Sequence, residues 1–164
     1  MIESEENAYE IILFPNGGNI RVHRLVSRDD SDFNSLFAIA RFFAQEGRHV
    51  VLSPKMTRPP LFMYSKIYGS LEGTPYEGKC PDLLIDGLWY EYEGFITNNP
   101  KRAFSNMVNH GMSQSNRLIL ESPSLTSAYM KRVINQRIRD GHKILEVLLW
   151  DEQTIKTLYK KFEE

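Results

Sequence analysis

The sequence lacks the features on which several common kinds of protein chemistry depend. Cys80 is its one cysteine, so neither an internal disulfide nor a cysteine zinc cluster can form within the chain. No run of about 18 apolar residues occurs, which argues against a membrane-spanning helix. Neither a P-loop nor a GxGxxG motif is present, and no serine or cysteine lies in a nucleophile-elbow context. These absences exclude disulfide scaffolds, membrane spans and the usual phosphate-binding glycine loops.

The charge is nearly balanced. The formal net charge is -1 over 164 residues, so whole-chain charge predicts neither a polyanion nor a membrane surface as a partner, and any contact with nucleic acid requires a local basic patch. With 41% hydrophobic residues the chain can bury a substantial core, and we expect a single domain over residues 1–164. Its acidic first residues lack the basic start and apolar stretch of a secretion signal, so we expect a cytoplasmic protein.

Hydrophobic periodicity and turn residues predict an α/β fold. The predicted core elements are a helix at 31–46, strands at 48–53, 81–86 and 88–95, a helix at 99–111, a strand at 117–121, a helix at 124–140 and a strand at 143–150. From residue 31 to residue 121 the order is α-β-β-β-α-β, which indicates a mixed β-sheet flanked by helices.

The flanks of this core and one internal segment are predicted separately. Residues 1–29 should form an N-terminal hairpin extension around the turn Pro15-Asn16-Gly17-Gly18, before a core at 30–150. Residues 151–164 should form a C-terminal helix that begins at Asp151. Residues 54–79 are predicted to be an irregular loop, either a lid or binding segment or a mobile stretch. Three tyrosines of this loop could stack on bases or pack the loop down, namely Tyr64, Tyr68 and Tyr76.

Acidic residues cluster around the predicted turn Asp86-Gly87, a pair typical of tight two-residue hairpins. Counting outward from the turn pairs Asp82 with Glu91 and places Glu93 on the same face of the sheet. Opposed carboxylates repel each other. The repulsion would be relieved by Mg²⁺ or Mn²⁺, by protonation of one carboxyl, by a nearby basic side chain, or by a register shifted by one residue. Without any functional site, Glu91 and Glu93 would decorate a solvated edge strand.

The pair Pro81-Asp82, followed by Glu91-Tyr92-Glu93 in the order α-β-β-β-α-β, resembles the PD-(D/E)XK nuclease superfamily. More narrowly, the segments PDLLIDGLWYEYEGF, SQSNRLILES and KILEVLLW are similar to small nuclease domains of contact-dependent inhibition and polymorphic toxins. The similarity covers residues 30 to 150. It implies a restriction-endonuclease-like core and hydrolysis of phosphodiester bonds in DNA or tRNA that depends on Mg²⁺ or Mn²⁺.

The resemblance also implies roles for individual residues. Asp82 and Glu91 would bind the metal, which polarises the phosphate and lowers the pKa of the attacking water. Position 93, where the family has a lysine, has Glu93, which would serve as a further ligand or a general base. Gln114 and Asn116 match the family's polar pair and would orient the substrate or a metal-bound water, unless they are only helix-end and turn residues without a function.

Basic side chains supply the candidate phosphate contacts. Lys101 and Arg102 begin the helix after the carboxylates and would bind substrate, unless they only form a solvated helix face. The densest basic region lies on the helix at 124–140 and just after it, at Lys131, Arg132, Arg137, Arg139 and Lys143. The expected partners are nucleic acid and an immunity or other partner protein, with no membrane. The sequence gives no oligomeric state.

Two alternatives to a metal-dependent nuclease, or to a degenerate relative of one, stay open. The first is a catalytically inactive domain that binds nucleic acid or protein, which Glu93 in place of lysine favours. The second is a metal-independent, toxin-type ribonuclease that uses His with Lys or Arg around the phosphate. The chain's four histidines are scattered, with no two at metal-ligand spacing.

Overall fold

The computed structural model describes residues 5–56 and 61–161. The outer ends of the predicted N-terminal extension and C-terminal helix, residues 1–4 and 162–164, lie outside the described residues, as do residues 57–60 of the predicted loop. Strands and helices are both abundant in the described ranges, so the predicted α/β class is confirmed. Within these ranges we find no helix that is both long enough and apolar enough to cross a membrane.

The chain divides into two compact units, Met1–Trp89 and Tyr90–Glu164. The organisation as a single domain and the core boundaries at 30 and 150 stay predictions.

The first unit is built on four strands. Its elements are α1 (Glu5–Ala8), β1 (Tyr9–Leu13), β2 (Asn19–His23), α2 (Phe33–Gln45), β3 (His49–Leu52), α3 (Leu61–Tyr68), a 3-10 turn (Gly69–Leu71) and β4 (Leu83–Ile85). Strand β1 is antiparallel to β2, β2 is parallel to β3, and β3 is antiparallel to β4. The predicted N-terminal hairpin is therefore present as β1 and β2. Its second strand, β2, pairs directly with β3, the first predicted core strand.

Helix α2 packs on these strands through a small-residue face. Ile39, Ala40 and Ala44 have no solvent exposure, and the helix ends before Gly47, whose φ of +86° is a conformation that favours glycine. The turn between β1 and β2, which contains Gly18, approaches the end of α2 very closely. A Cβ at Gly18 would lie 1.9 Å from the carbonyl oxygen of Ala44. Only glycine fits at this position.

The described residues of the segment 54–79, namely 54–56 and 61–79, do not form the irregular loop predicted from the sequence. They contain α3 and the 3-10 turn, and Tyr64 stacks on Tyr68 with ring centroids 5.1 Å apart. Tyr68 in turn lies 5.0 Å from the ring of Trp89 and has no exposed surface. Tyr64 and Tyr68 thus pack the segment against the rest of the first unit, which is one of the two alternatives that the sequence left open for these tyrosines. Prolines and glycines at both ends of the segment obscured the apolar run LFMYSKIY that forms the helix.

The second unit contains a parallel three-stranded arrangement. Its elements are β5 (Leu88–Glu93, the first two residues of which belong to the first unit), α4 (Pro100–Met112), β6 (Arg117–Glu121), α5 (Ser127–Arg139), β7 (Glu146–Trp150) and β8 (Ile155–Lys160). Strands β5, β6 and β7 are parallel neighbours, and β8 is antiparallel to β7. The predicted order α-β-β-β-α-β up to residue 121 is present, with α3 as an additional helix.

Both helices of the second unit begin at side-chain caps that the sequence supplies. The Asn99 side chain accepts a hydrogen bond from the Arg102 N–H at 3.1 Å, and Thr126 accepts one from the Tyr129 N–H at 3.1 Å. The apolar faces of α4 and α5 bury a common core with β6, β7 and β8, formed by Phe104, Met107, Val108, Leu118, Leu120, Met130, Ile134, Ile144, Val147, Leu149 and Leu158.

The prediction of a C-terminal helix over 151–164 is wrong. The Asp151 carboxylate accepts hydrogen bonds from the N–H groups of Gln153 and Thr154, at 2.9 and 2.7 Å, and closes a turn in which Glu152 has a φ of +77°. The chain thereby reverses and pairs β8 against β7. The three-residue spacing of Ile155 and Leu158 suggested a helix, but β-branched and aromatic residues favour the strand.

Candidate functional site

The turn between β4 and β5 is the one that the sequence predicts. Asp86 and Gly87 have φ values of +48° and +83°, as a two-residue hairpin turn of type I′ requires. The Asp86 carboxylate accepts hydrogen bonds from the His49 N–H at 3.0 Å and from the Arg48 guanidinium. Burial raises the pKa of Asp86, but these hydrogen bonds and the Arg48 charge outweigh it and hold the pKa below its usual value. They tie the turn to β3.

Asp82 lies immediately before β4 and is only 4% exposed. Its carbonyl oxygen accepts a hydrogen bond from the Ser53 N–H at 3.1 Å, which continues the ladder beyond the pair Leu52–Leu83. Ser53 and Asp82 are thus directly opposed, and their side chains lie on one face of the sheet. Lys55 Nζ lies 4.0 Å from Asp82 Oδ1. A basic side chain beside the carboxylates was one of the open alternatives, and for Asp82 it is present.

Glu91 and Glu93 lie on β5, in the part of that strand that belongs to the second unit. Glu91 is 4% exposed and pairs in register with Leu118, while the half-buried Glu93 pairs with Leu120. Both leucines belong to the core under α4 and α5, so the two glutamates lie on the helix-covered face of the sheet. Glu91 is therefore not part of a solvated strand. The pairing of Asp82 with Glu91 stays a prediction.

The side chains around Asp82 have the chemistry that a hard divalent cation prefers. The Asp82 carboxylate and the Ser53 hydroxyl are oxygen donors, and Mg²⁺ typically uses only one or two carboxylates together with water and substrate phosphates. Among the described residues, no group of three or more His, Cys, Asp or Glu side chains is arranged to hold a metal ion. The assignment of Asp82 and Glu91 as ligands stays a prediction.

Exposed cations surround an aromatic ring where α4 and α5 begin. Lys101 Nζ lies 5.0 Å from the centre of the Tyr129 ring, and Arg132 Cζ lies 6.0 Å from it. Arg102 is the exposed neighbour of Lys101. We call Lys101, Arg102, Arg132 and Tyr129 the basic surface. Within the described parts of the chain, none of its three cations forms an ion pair with a carboxylate.

The two helices run in the same direction. Arg137 near the end of α5 donates hydrogen bonds at 3.1 Å to Ser105 Oγ and Asn109 Oδ1 of α4, while Lys101 meets Tyr129 at the beginning of both helices. Each helix follows a parallel strand, so the basic surface lies at the carboxyl ends of β5 and β6. In α/β proteins ligands bind at this edge. Arg137, by contrast, joins two helices and is not an available phosphate contact.

Gln114 and Asn116 lie at the other end of α4. The eleven helical steps from position 101 to position 112 span roughly 17 Å, so this pair is far from Lys101. Gln114 Nε2 donates to Ser113 Oγ at 3.3 Å, and the Asn116 carbonyl accepts the Leu145 N–H at 2.7 Å. The structure does not bring the four predicted substrate-binding residues together.

No family model matches this chain, and no curated protein matches it. Among solved structures, the chain is similar to a chain of the "CdiA-CT/CdiI toxin and immunity complex from Burkholderia pseudomallei". The two chains are 17% identical with a TM-score of 0.48, and the alignment covers 80% of this chain and 91% of that one. At this identity and TM-score the likeness carries no conclusion about this chain.

A buried polar cluster in the second unit was missed in the sequence. Arg117 Nη1 lies 3.0 Å from Glu146 Oε1, and the Tyr90 hydroxyl donates a hydrogen bond to the same oxygen. Arg117 and Glu146 are partners in the register of β6 and β7, and Tyr90 precedes the pair Glu91–Leu118. The three side chains therefore form one row on the face opposite Glu91. A single acidic residue within the apolar run ILEVLLW was the signal that could have revealed it.

Proposed function

We propose that this chain is a nuclease of the PD-(D/E)XK type, similar to toxin nuclease domains, that hydrolyses DNA or tRNA with Mg²⁺ or Mn²⁺. Asp82 and Glu91 bind the metal in this proposal. When bound, the metal polarises the phosphate and generates the attacking hydroxide from water.

The observation that carries the proposal is the burial of the two motif carboxylates, each of which is 4% exposed. Aspartate and glutamate are rarely buried unless they are paired or bind a ligand, because desolvation of the charge costs free energy. Buried carboxylates of this kind are candidates for functional sites. Their positions on either side of the Asp86-Gly87 turn are those that the family motif requires.

The basic surface supports a nucleic-acid substrate. The three cations form no ion pair with a carboxylate of the described residues, and they lie next to the half-buried Tyr129, so together they can bind phosphates and one base. The surface concentrates positive charge in a chain whose formal net charge is only -1. Arg102 also lies in the first turn of α4, where the helix dipole adds to the attraction for phosphate.

The direct test is cleavage of plasmid DNA and of tRNA with Mg²⁺, with Mn²⁺ and with EDTA. We expect the wild-type chain to cut one of these substrates only with metal. Asp82→Asn and Glu91→Gln should each lower the rate by at least about 100-fold, since each removes a metal ligand. The matched control is Asp29→Asn, which makes the same change at an exposed carboxylate of the first unit and should keep full activity.

Metal binding is measured separately by thermal unfolding. A metal ion that binds only the folded chain should stabilise it by about 2.7 kcal/mol at a concentration of 100 times Kd, which corresponds to a rise in Tm of roughly 5–10 °C. Asp82→Asn should abolish this rise. Wild-type protein that neither gains stability with Mn²⁺ nor cuts either substrate would overturn the proposal.

Substrate binding is measured with EDTA, so that no cleavage occurs. Lys101→Ala/Arg102→Ala should weaken binding at 50 mM salt and make the slope of log K against log salt less steep by about 1.5 to 2, because two phosphate contacts are lost. The control is Lys156→Ala/Lys160→Ala on β8, which removes the same charge from another exposed element. Equal losses in both double variants would mean that the attraction is diffuse and that the basic surface is not the binding site.

A further inference from the structure

Three side chains of the first unit meet at the ends of β3 and β4. The opposed residues Ser53 and Asp82 share a face, and Lys55, two residues after Ser53, has its ammonium 4.0 Å from Asp82 Oδ1. The Asp82 side chain is 5% exposed, whereas that of Lys55 is 63% exposed. The Lys55 ammonium thus lies between the buried Asp82 carboxylate and the solvent.

The backbone that carries these residues is held firmly. The Tyr68 hydroxyl donates a hydrogen bond at 2.6 Å to the carbonyl oxygen of Pro54, which lies between Ser53 and Lys55. Tyr68 is fully buried and stacks between Tyr64 and Trp89. A rigid support of this kind is what a positioned functional group requires, because it limits the conformations of the segment.

The Ser53 hydroxyl indicates that a polar ligand belongs here. Its oxygen is inaccessible to solvent and has no hydrogen-bond partner among the described residues. A buried hydroxyl without a partner costs about 1–3 kcal/mol, so such groups usually bind a water, an ion or a ligand oxygen. Ser53 lies on the same face as Asp82, so a ligand oxygen bound there would lie close to both Asp82 and Lys55.

We infer that Lys55 is the catalytic cation of the chain and that it supplies beside Asp82 the positive charge that Glu93 does not. The inference rests on the proposed nuclease function. Lys55 binds a non-bridging oxygen of the scissile phosphate and stays protonated throughout. The water oxygen forms a bond to phosphorus while the bond from phosphorus to the ester oxygen breaks. The proton of the water passes to solvent, and the leaving oxygen takes a proton from solvent.

Charge at the phosphate grows in the transition state, so an ammonium beside it stabilises the transition state more than the bound substrate. Lys55→Met should therefore lower kcat by about 100-fold or more and change KM by less than about threefold. Lys55→Arg should retain part of the activity because it keeps the charge. The control is Lys66→Met, at an exposed lysine of the same unit whose ammonium lies 4.5 Å from the centre of the Phe62 ring, and it should leave kcat unchanged.

A relocated lysine separates a chemical role from a structural one. In Lys55→Met/Glu93→Lys the ammonium is returned to the position at which the resemblance places it, and at least tenfold of the lost kcat should be recovered.

The second readout is independent of activity. The Lys55 ammonium and Mn²⁺ compete for the Asp82 carboxylate, so Lys55→Met should lower the Mn²⁺ concentration required for half-maximal thermal stabilisation by about two- to fivefold. In an Asp82→Asn background the same substitution should have no effect on Mn²⁺. Lys66→Met should match wild type in both backgrounds.

The outcomes distinguish the two proposals. If the wild-type chain cuts nucleic acid and Lys55→Met cuts equally well, the role of Lys55 is wrong and the nuclease function stands. A second outcome is that Lys55→Met lowers kcat but leaves the Mn²⁺ midpoint unchanged, and that Lys55→Met/Glu93→Lys recovers no activity. Lys55 would then act only through the fold, and the inference would be overturned. If the wild-type chain cuts no substrate with any metal, both proposals fail.

Discussion

The Arg117–Glu146–Tyr90 cluster permits a quantitative prediction about the second unit. The side chains of Arg117 and Glu146 are 15% and 8% exposed, so their ion pair is largely removed from water. Arg117→Met would leave the Glu146 carboxylate with the Tyr90 hydroxyl but without its counter-charge. Loss of one partner of a buried pair typically costs 3–5 kcal/mol. With the Tyr90 hydrogen bond retained, we expect about 3 kcal/mol.

The expected loss converts directly into a melting temperature. For a chain of this size each kcal/mol lowers Tm by roughly 2–4 °C, so Arg117→Met should melt about 6–12 °C below wild type. Tyr90→Phe removes one hydrogen bond to a charged acceptor and should cost about 1.5–3 kcal/mol. Differential scanning calorimetry at pH 7 measures both variants, and circular dichroism checks that the native fold is retained.

A double variant tests the reasoning behind this magnitude. Arg117→Met/Glu146→Leu removes both charges and replaces them with apolar side chains, which is often close to neutral for a buried pair. It should therefore be more stable than Arg117→Met alone, although the Tyr90 hydroxyl loses its acceptor. A double variant as unstable as the single one, or a single variant that loses less than about 1 kcal/mol, would refute the view that an uncompensated buried charge is the cause.

Three further predictions concern the first unit. Burial lowers the pKa of His23, so stability should be full above pH 6.5 and fall as the pH drops toward the lowered value, and thermal melts from pH 8 to 5 should show a weaker dependence in His23→Gln. Gly18→Ala should lower the free energy of unfolding by about 2–3 kcal/mol, because the new Cβ meets the backbone of α2. Gly17→Ala should lower it by only about 1 kcal/mol, because the sole cause of strain there is the positive φ. Equal losses of stability in urea titrations would contradict this contrast. Asp86→Asn keeps a residue that tolerates the turn but loses the Arg48 ion pair, at a cost of about 0.5–1 kcal/mol at pH 7. Because the pKa of Asp86 is lowered, that contribution is present above pH 3.8 and is lost below it, so the two proteins should become equally stable in acid.

Local chemistry was a good guide to most of the fold. Asp86-Gly87 predicted a turn with two positive φ values. Asn99 predicted the beginning of α4, and Gly47 predicted the end of α2. These features depend on only a few neighbouring residues. The failures at β8 and α3 arose where short patterns fit two structures. Pairing with β7 decided the first and aromatic stacking decided the second, and neither depends on local sequence alone.

The candidate site was predicted only in part, for a related reason. The motif singled out Asp82 and Glu91, whose role as metal ligands stays a prediction. The position of Lys55 beside Asp82 follows from the pairing of β3 with β4, which joins residues far apart in the chain. Gln114 matched a family pattern by spacing, and the length of α4 separates it from Lys101. Sequence spacing gives the identity of chemical groups more readily than the tertiary contacts between them.

The identification of residues 155–160 as β8 has a practical consequence for anyone who shortens this chain. A helix at this end could be trimmed with little harm, but β8 is the neighbour that covers β7, all five residues of which are buried. A protein that stopped at Trp150 would present the free edge of an apolar strand to other molecules, and such edges recruit further strands into aggregates. Expression boundaries should therefore include the chain through Lys161, whose N–H bonds to the carbonyl of Leu145. The lysines at 156 and 160 help to keep the outer edge of β8 soluble.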